Sequence, residues 1–69
     1  MVSDTPQLIS LNEAARLTSL SRTAINRWRS AGQFPVAVQL GDRRVAFVRA
    51  EVIAWIEARI AQRATRVAA

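Results

Sequence analysis

The sequence contains no cysteine and no histidine. Without thiols there is neither a disulfide staple nor a thiolate metal site, which suits a reducing cytosol. Without imidazole, a histidine zinc site, a Ser-His-Asp triad and a histidine pH switch are excluded. No apolar run approaches the ~18 residues that a membrane helix needs. Met1 to Gln7 is short and polar and lacks the apolar core of a signal peptide, so a cytoplasmic location is expected. Acids are few: Asp4, Glu13, Asp42, Glu51 and Glu57 are spread along the chain. No pair of them converges for acid–base work or for a metal, so no enzyme, no cofactor and no small-molecule ligand is expected. A chain of 69 residues has room for one domain with a modest core.

What the chain does have is arginine. All ten cationic side chains are arginines, and the net charge is +5. Between Ser21 and Ala50 stand six of them, Arg22, Arg27, Arg29, Arg43, Arg44 and Arg49, against Asp42 alone. The four remaining arginines and four remaining acids cancel, so all the net charge lies in the middle of the sequence. A focused basic region is the footprint of a polyanion partner.

The local patterns divide the chain into a polar arm over 1–9, a domain over 10–64 and a frayed end over 65–69. Ser10 and Glu13 have capping-box spacing, with Ile9 and Ala14 placed as a hydrophobic staple. Leu11, Ala14 and Ala15 then share one helical face, which predicts a first helix over about 11–17. Ser21 is a good N-cap for a second helix over about 22–31, with Ala24, Ile25 and Trp28 on its apolar side and Gly32 to end it. Two short helices joined by so few residues form a helix-turn-helix. After Phe34-Pro35 the period changes to that of strands. Gly41-Asp42 reads as a two-residue hairpin turn that sets Val38 opposite Val45 and Val36 opposite Phe47. A third helix is expected from about Ala50 to Arg63, striped by Val52, Trp55, Ile56 and Ile60, with Ile53 widening the stripe. The fold class that follows is mainly α with a small β-hairpin, a winged helix-turn-helix.

In such a motif the second helix enters the major groove. Opposite its apolar side lie Thr23, Asn26, Arg27 and Ser30, flanked by Arg22 and Arg29. Arginine can bond guanine bidentately, asparagine adenine, and the threonine methyl can meet that of thymine. Ser21 and the free N–H groups at the helix start suit a phosphate. Arg43 and Arg44 at the hairpin tip can reach a phosphate or an adjacent minor groove, and Arg49 can serve either surface. The candidate DNA-binding residues are therefore Ser21, Arg22, Thr23, Asn26, Arg27, Ser30, Arg43 and Arg44. Exposed helix faces are also commonly just solvated, but they usually mix signs, and this helix holds three arginines and no acid. Trp28 and Trp55 could stack on bases, but each sits in an apolar stripe, which favours core packing.

Several of these segments resemble the AlpA-type prophage regulators and the related excisionase family. They are Asn12-Glu13-Ala14-Ala15, Leu20 to Ile25, Gly32-Gln33-Phe34-Pro35, Gly41 to Arg44 and Glu51 to Ile56. The resemblance implies a MerR-like winged helix. It also implies a cytoplasmic regulator from a phage or other mobile element, one that switches integrase-type genes or acts as a recombination directionality factor. The partners it implies are double-stranded DNA, further copies of the chain bound cooperatively on DNA, and an integrase. Carried over position by position, the DNA contacts fall on Ser21, Arg22, Thr23, Asn26, Arg27, Arg43 and Arg44. Two residues depart from the family pattern: Ser19 stands where the tight turn usually has glycine, and Ala50 where the last helix often has a serine cap. The competing reading is a winged-helix protein-interaction module that does not read DNA. It requires an exposed apolar patch on the second helix or the hairpin.

Overall fold

The computed structural model describes residues 7–68, with side chains through residue 63. The order is β1 (Leu8–Ile9), α1 (Leu11–Thr18), α2 (Arg22–Ser30), β2 (Val38–Gln39), β3 (Val45–Val48) and α3 (Arg49–Ala68). This is the expected mainly α fold with a hairpin wing, extended by one strand.

The helices begin and end where local chemistry places them. The Ser10 hydroxyl accepts from the Glu13 N–H at 3.0 Å, and the Ser21 hydroxyl accepts from the Ala24 N–H at 3.0 Å. The reciprocal half of the capping box does not form, because the Glu13 carboxylate is taken by the Arg16 guanidinium one turn on. That hydrogen bond holds the Glu13 carboxyl below its ordinary range. Both helices close with the same pair of bonds, in which an N–H reaches back across the last turn. In α1 the Leu20 N–H donates to the Ala15 carbonyl at 3.2 Å and the Ser19 N–H to the Arg16 carbonyl at 3.4 Å. In α2 the Gln33 N–H donates to the Trp28 carbonyl and the Gly32 N–H to the Arg29 carbonyl, both at 2.9 Å. Each closure needs a left-handed residue, supplied by Gly32 at φ 73° and by Ser19 at φ 62°.

The core is built where these elements meet. Ala14 of α1, Ile25 of α2, Phe34, Phe47 of β3 and Val52 of α3 are buried together. Ile9, Leu11, Ala15, Leu20, Trp28, Trp55 and Ile56 pack around them, half-buried. The Phe34 ring meets Phe47 and Trp55 edge-to-face at 5.4 and 4.9 Å. No polar side chain is buried among the described residues.

Three expectations are corrected. Residues 8 and 9, assigned to the arm, form β1, which pairs antiparallel with β3 so that Leu8 opposes Val48 and Ile9 opposes Phe47. The Arg49 N–H continues this pairing onto the Gln7 carbonyl at 2.8 Å. The wing is thus one side of a three-stranded sheet in the order β1-β3-β2. Second, the hairpin register is displaced by one residue. The Leu40 N–H donates to the Arg44 carbonyl at 2.8 Å, so the loop is Gly41-Asp42-Arg43. Val38 therefore opposes Ala46, not Val45, and Gln39 opposes Val45. Because the pleat has period two, this slip moves Val36 and Val38 away from the Phe47 face. Val36 is left 83% exposed, and Ala46 is buried. Third, α3 starts at Arg49 and runs to Ala68, past the expected end at Arg63. The rest of the expected arm, residues 1–6, and Ala69 lie outside the described residues.

Candidate nucleic-acid interface

The helix α2 is anchored by its apolar side, with Ile25 fully buried and Ala24 and Trp28 half-buried. Its opposite face is thereby turned outward. Ser21, Arg22, Thr23, Asn26, Arg27 and Ser30 are all exposed. The α2 segment has no acid in its first turn, and Arg27 and Arg29 lie in its last. The Ser21 hydroxyl uses an acceptor site for the Ala24 N–H and keeps its own proton as a donor. The first intrahelical bond comes from the Ile25 N–H to the Ser21 carbonyl at 3.0 Å, which leaves the N–H groups of Arg22 and Thr23 facing outward.

The sheet brings the wing tip back toward the start of α2. Arg22, Arg43 and Arg44 line one groove of about 510 Å³, whose walls include Leu8, Leu11, Leu40 and Ala46. Arginines far apart in sequence thus converge on one depression beside the exposed face of α2. Farther along the same helix, Asn26, Arg29 and Ser30 line a second groove, closed on its other side by Phe34 to Ala37. Arg27 lies on the opposite flank, in a smaller depression with Ala24, Trp28, Ala31 and Gln33. Thr23 is exposed but lines none of these three depressions. Among the described residues the one ion pair is Arg16–Glu13, so no carboxylate among them is paired with an arginine of α2 or of the wing.

Sequence reasoning missed two arrangements. Arg29, treated only as a flanking residue, is half-buried. Its Nη1 donates to Asn26 Oδ1 at 2.9 Å, and its guanidinium carbon lies 5.5 Å from the Phe47 ring centroid. The three-residue spacing from Asn26 to Arg29 was the available signal. Arg59 of α3 lies over Trp28 at 4.6 Å and near Trp55 at 5.5 Å. The two indoles meet edge-to-face at 5.7 Å, and Trp55 Nε1 donates to the Gln33 carbonyl at 2.8 Å. The tryptophans form a half-buried rim of the core, committed to each other and to Arg59. Arg49 sits at the start of α3, close enough to Glu13 for its charge to help lower that carboxyl. No group of acids that could hold a metal occurs among the described residues, and none of their helices is long and apolar enough to cross a membrane.

Comparison with known proteins agrees with the resemblance read from the sequence. Residues 7–60 match the family described as prophage CP4-57 regulatory protein (AlpA). An uncharacterized protein, ORF88 of Enterobacteria phage P4, is 39% identical over 57 residues, which cover 83% of this chain and 65% of that protein. The chain therefore spans slightly less than two thirds of the length of this curated relative. No solved structure matches the chain. The matched residues run from the start of β1 to the middle of α3 and take in α2 and the wing, and the chain belongs to the AlpA family of prophage regulatory proteins.

Proposed function

We propose that this chain is a sequence-specific double-stranded DNA-binding protein of a phage or mobile element, acting as an excision factor, as a transcriptional regulator of integrase-type genes, or as both. It does so without enzymatic chemistry. The observation that carries the reading is the convergence of Arg22, Arg43 and Arg44 on one groove beside the exposed face of α2. In this reading α2 lies in the major groove, and Thr23, Asn26, Arg27 and Ser30 meet base edges. Ser21, Arg22 and the N–H groups at the helix start hold one phosphate strand, while Arg43 and Arg44 follow it toward the minor groove. Membership of a phage regulatory family supports the same reading.

If roughly four to six arginines neutralise phosphates, log K falls with log[salt] at a slope of about −4 to −5. Fluorescence anisotropy on a labelled duplex from the parent element, between roughly 50 and 200 mM salt, measures it. A slope near zero sinks DNA binding. The wing does expose Val36 and Leu40, which is what a protein-interaction module would show. Leu40, however, shares its groove with three arginines. The outer face of α2 has no exposed large apolar side chain. The salt slope separates the two readings, because apolar docking releases no counterions.

A further inference from the structure

Asn26 is a side chain suited to read a base, and its carboxamide is already hydrogen-bonded within the protein. A carboxamide has two orientations, half a turn apart, that exchange its donor and its acceptor. Arg29 Nη1 donates to Asn26 Oδ1 at 2.9 Å and so fixes which end is oxygen. Arg29 is itself held in place. It is half-buried on the wing side of α2, and its guanidinium lies 5.5 Å from the centroid of Phe47, a ring fully buried in β3. No carboxylate among the described residues draws it away. Asn26 and Arg29 line the same groove, open to solvent between α2 and the strand entering the wing.

We infer that Arg29 is a positioning residue that pre-orients the Asn26 carboxamide for one base pair, which we assign as one carrying adenine. The inference rests on the proposed DNA reading and deepens it. Adenine presents N7, an acceptor, beside N6–H₂, a donor, in a fixed order along the major-groove edge. A matching carboxamide must offer its N–H₂ and its oxygen in the complementary order, and the opposite rotamer sets donor against donor and acceptor against acceptor. Oδ1 has two lone pairs. One serves Arg29, and the other remains for N6–H₂ while Nδ2 donates to N7. Pre-orientation removes the wrong rotamer before DNA arrives, which lowers the ordering cost of binding. Phe47 thus couples the core of the sheet to the reading face of α2, through a single guanidinium.

The test measures base preference at every position of the bound duplex, by single base-pair substitution, for the wild type, Asn26→Ala, Arg29→Met and Arg29→Lys. Met keeps an unbranched stem over Phe47 and loses the donor and the charge, whereas Lys restores both. Asn26→Ala should abolish an adenine preference of about five- to 150-fold at one base pair. Arg29→Met should weaken preference at that same base pair by about two- to tenfold. It should add little in the Asn26→Ala background, and Arg29→Lys should recover most of the loss. Nitrogen-15 relaxation of the Asn26 side-chain amide in the free protein gives a second readout, ordered in the wild type and in Arg29→Lys. Arg29→Met should mobilise it, provided circular dichroism shows that the variant is folded. If Arg29→Met does not fold, a mobile Asn26 amide in the wild type still overturns the inference. So does an unchanged preference in a folded Arg29→Met, or a loss at a different base pair, which would make Arg29 itself the reader. A wild type that binds DNA with no base preference removes the sequence-specific reading as well, so the two failures are told apart.

Discussion

Ser19 and Gly32 do the same job at the ends of α1 and α2, and only one of them is a glycine. A left-handed backbone brings Cβ toward the following carbonyl and costs an L-residue roughly 1–2 kcal/mol. Ser19 bears this at φ 62°, and Gly32 at φ 73° does not. Ser19→Gly is therefore expected to stabilise the domain by about 1 kcal/mol, a rise in Tm of about 4–8 °C for a domain of this size. A Cβ added at Gly32 would meet nothing within 4 Å, so Gly32→Ala isolates the backbone term and should lower Tm by a similar amount. Thermal melts of the two variants check this, and the idea fails if they shift in the same direction. The same scale separates reading from holding. Asn26→Ala and Arg27→Ala should lose ~1–3 kcal/mol of discrimination between cognate and random DNA. Arg43→Ala and Arg44→Ala should weaken both kinds of DNA alike and reduce the salt slope by about 1 each. Competition binding at two salt concentrations measures both effects, and helix variants that keep full specificity would remove α2 as the reader.

At the scale of elements, packing ranks the aromatic residues. Phe47 is fully buried, whereas Trp28 and Trp55 are half-buried. Truncating a core aromatic costs ~3–5 kcal/mol, against a total stability of about 5 kcal/mol for a domain this small. Phe47→Ala should therefore unfold the chain. Trp55→Ala and Trp28→Ala should cost toward the lower end, about 3 kcal/mol, since part of each ring stays in solvent. Trp55 also loses a hydrogen bond to Gln33, and both lose contact with Arg59. Circular dichroism without DNA shows the order. Tryptophan variants that keep wild-type Tm and lose DNA binding would revive base stacking. The helices were legible in the sequence because their signals are local: Ser10 and Ser21 as caps, Gly32 as a stop, and apolar residues three and four apart. The sheet was legible only in part. Gly41-Asp42 marks a turn but does not distinguish two loop residues from three, and that single residue decides whether Val38 meets Val45 or Ala46. β1 has two residues and no period to detect, and its position depends on β3, more than thirty residues away. The exposed face of α2 could be drawn from the helical repeat alone. The groove shared by Arg22, Arg43 and Arg44, and the stack of Arg59 on Trp28, depend on contacts between distant segments that no local pattern records.

The whole molecule offers one α2 and one wing on a body measuring 45 × 37 × 19 Å. On the proposed reading a single copy would read one short half-site, so specificity on a long genome would need further copies placed about one helical turn apart. Copies arranged head-to-tail do not close on themselves and can extend along a duplex. A net charge of +5 disfavours contact between copies in free solution. DNA phosphates remove that repulsion, so association and DNA binding should be linked. The outer part of α3 is the surface we expect neighbouring copies to share. Ile60 is 54% exposed there, with Glu57 and Arg63 exposed beside it. Arg59 is already committed to the tryptophan rings, which leaves Arg63, among the side chains described on this part of α3, as the cation for a neighbour's acid. The chain should therefore sediment mainly as a monomer and bind two or three tandem sites cooperatively. Ile60→Ser and Glu57→Gln should reduce that cooperativity and leave affinity for one isolated site unchanged, because neither residue lies on α2 or the wing. Analytical ultracentrifugation, with gel shifts on one, two and three sites, tests this. A tight dimer in free solution would overturn it in favour of a simple dimeric regulator, and independent filling of adjacent sites would show that each copy acts alone.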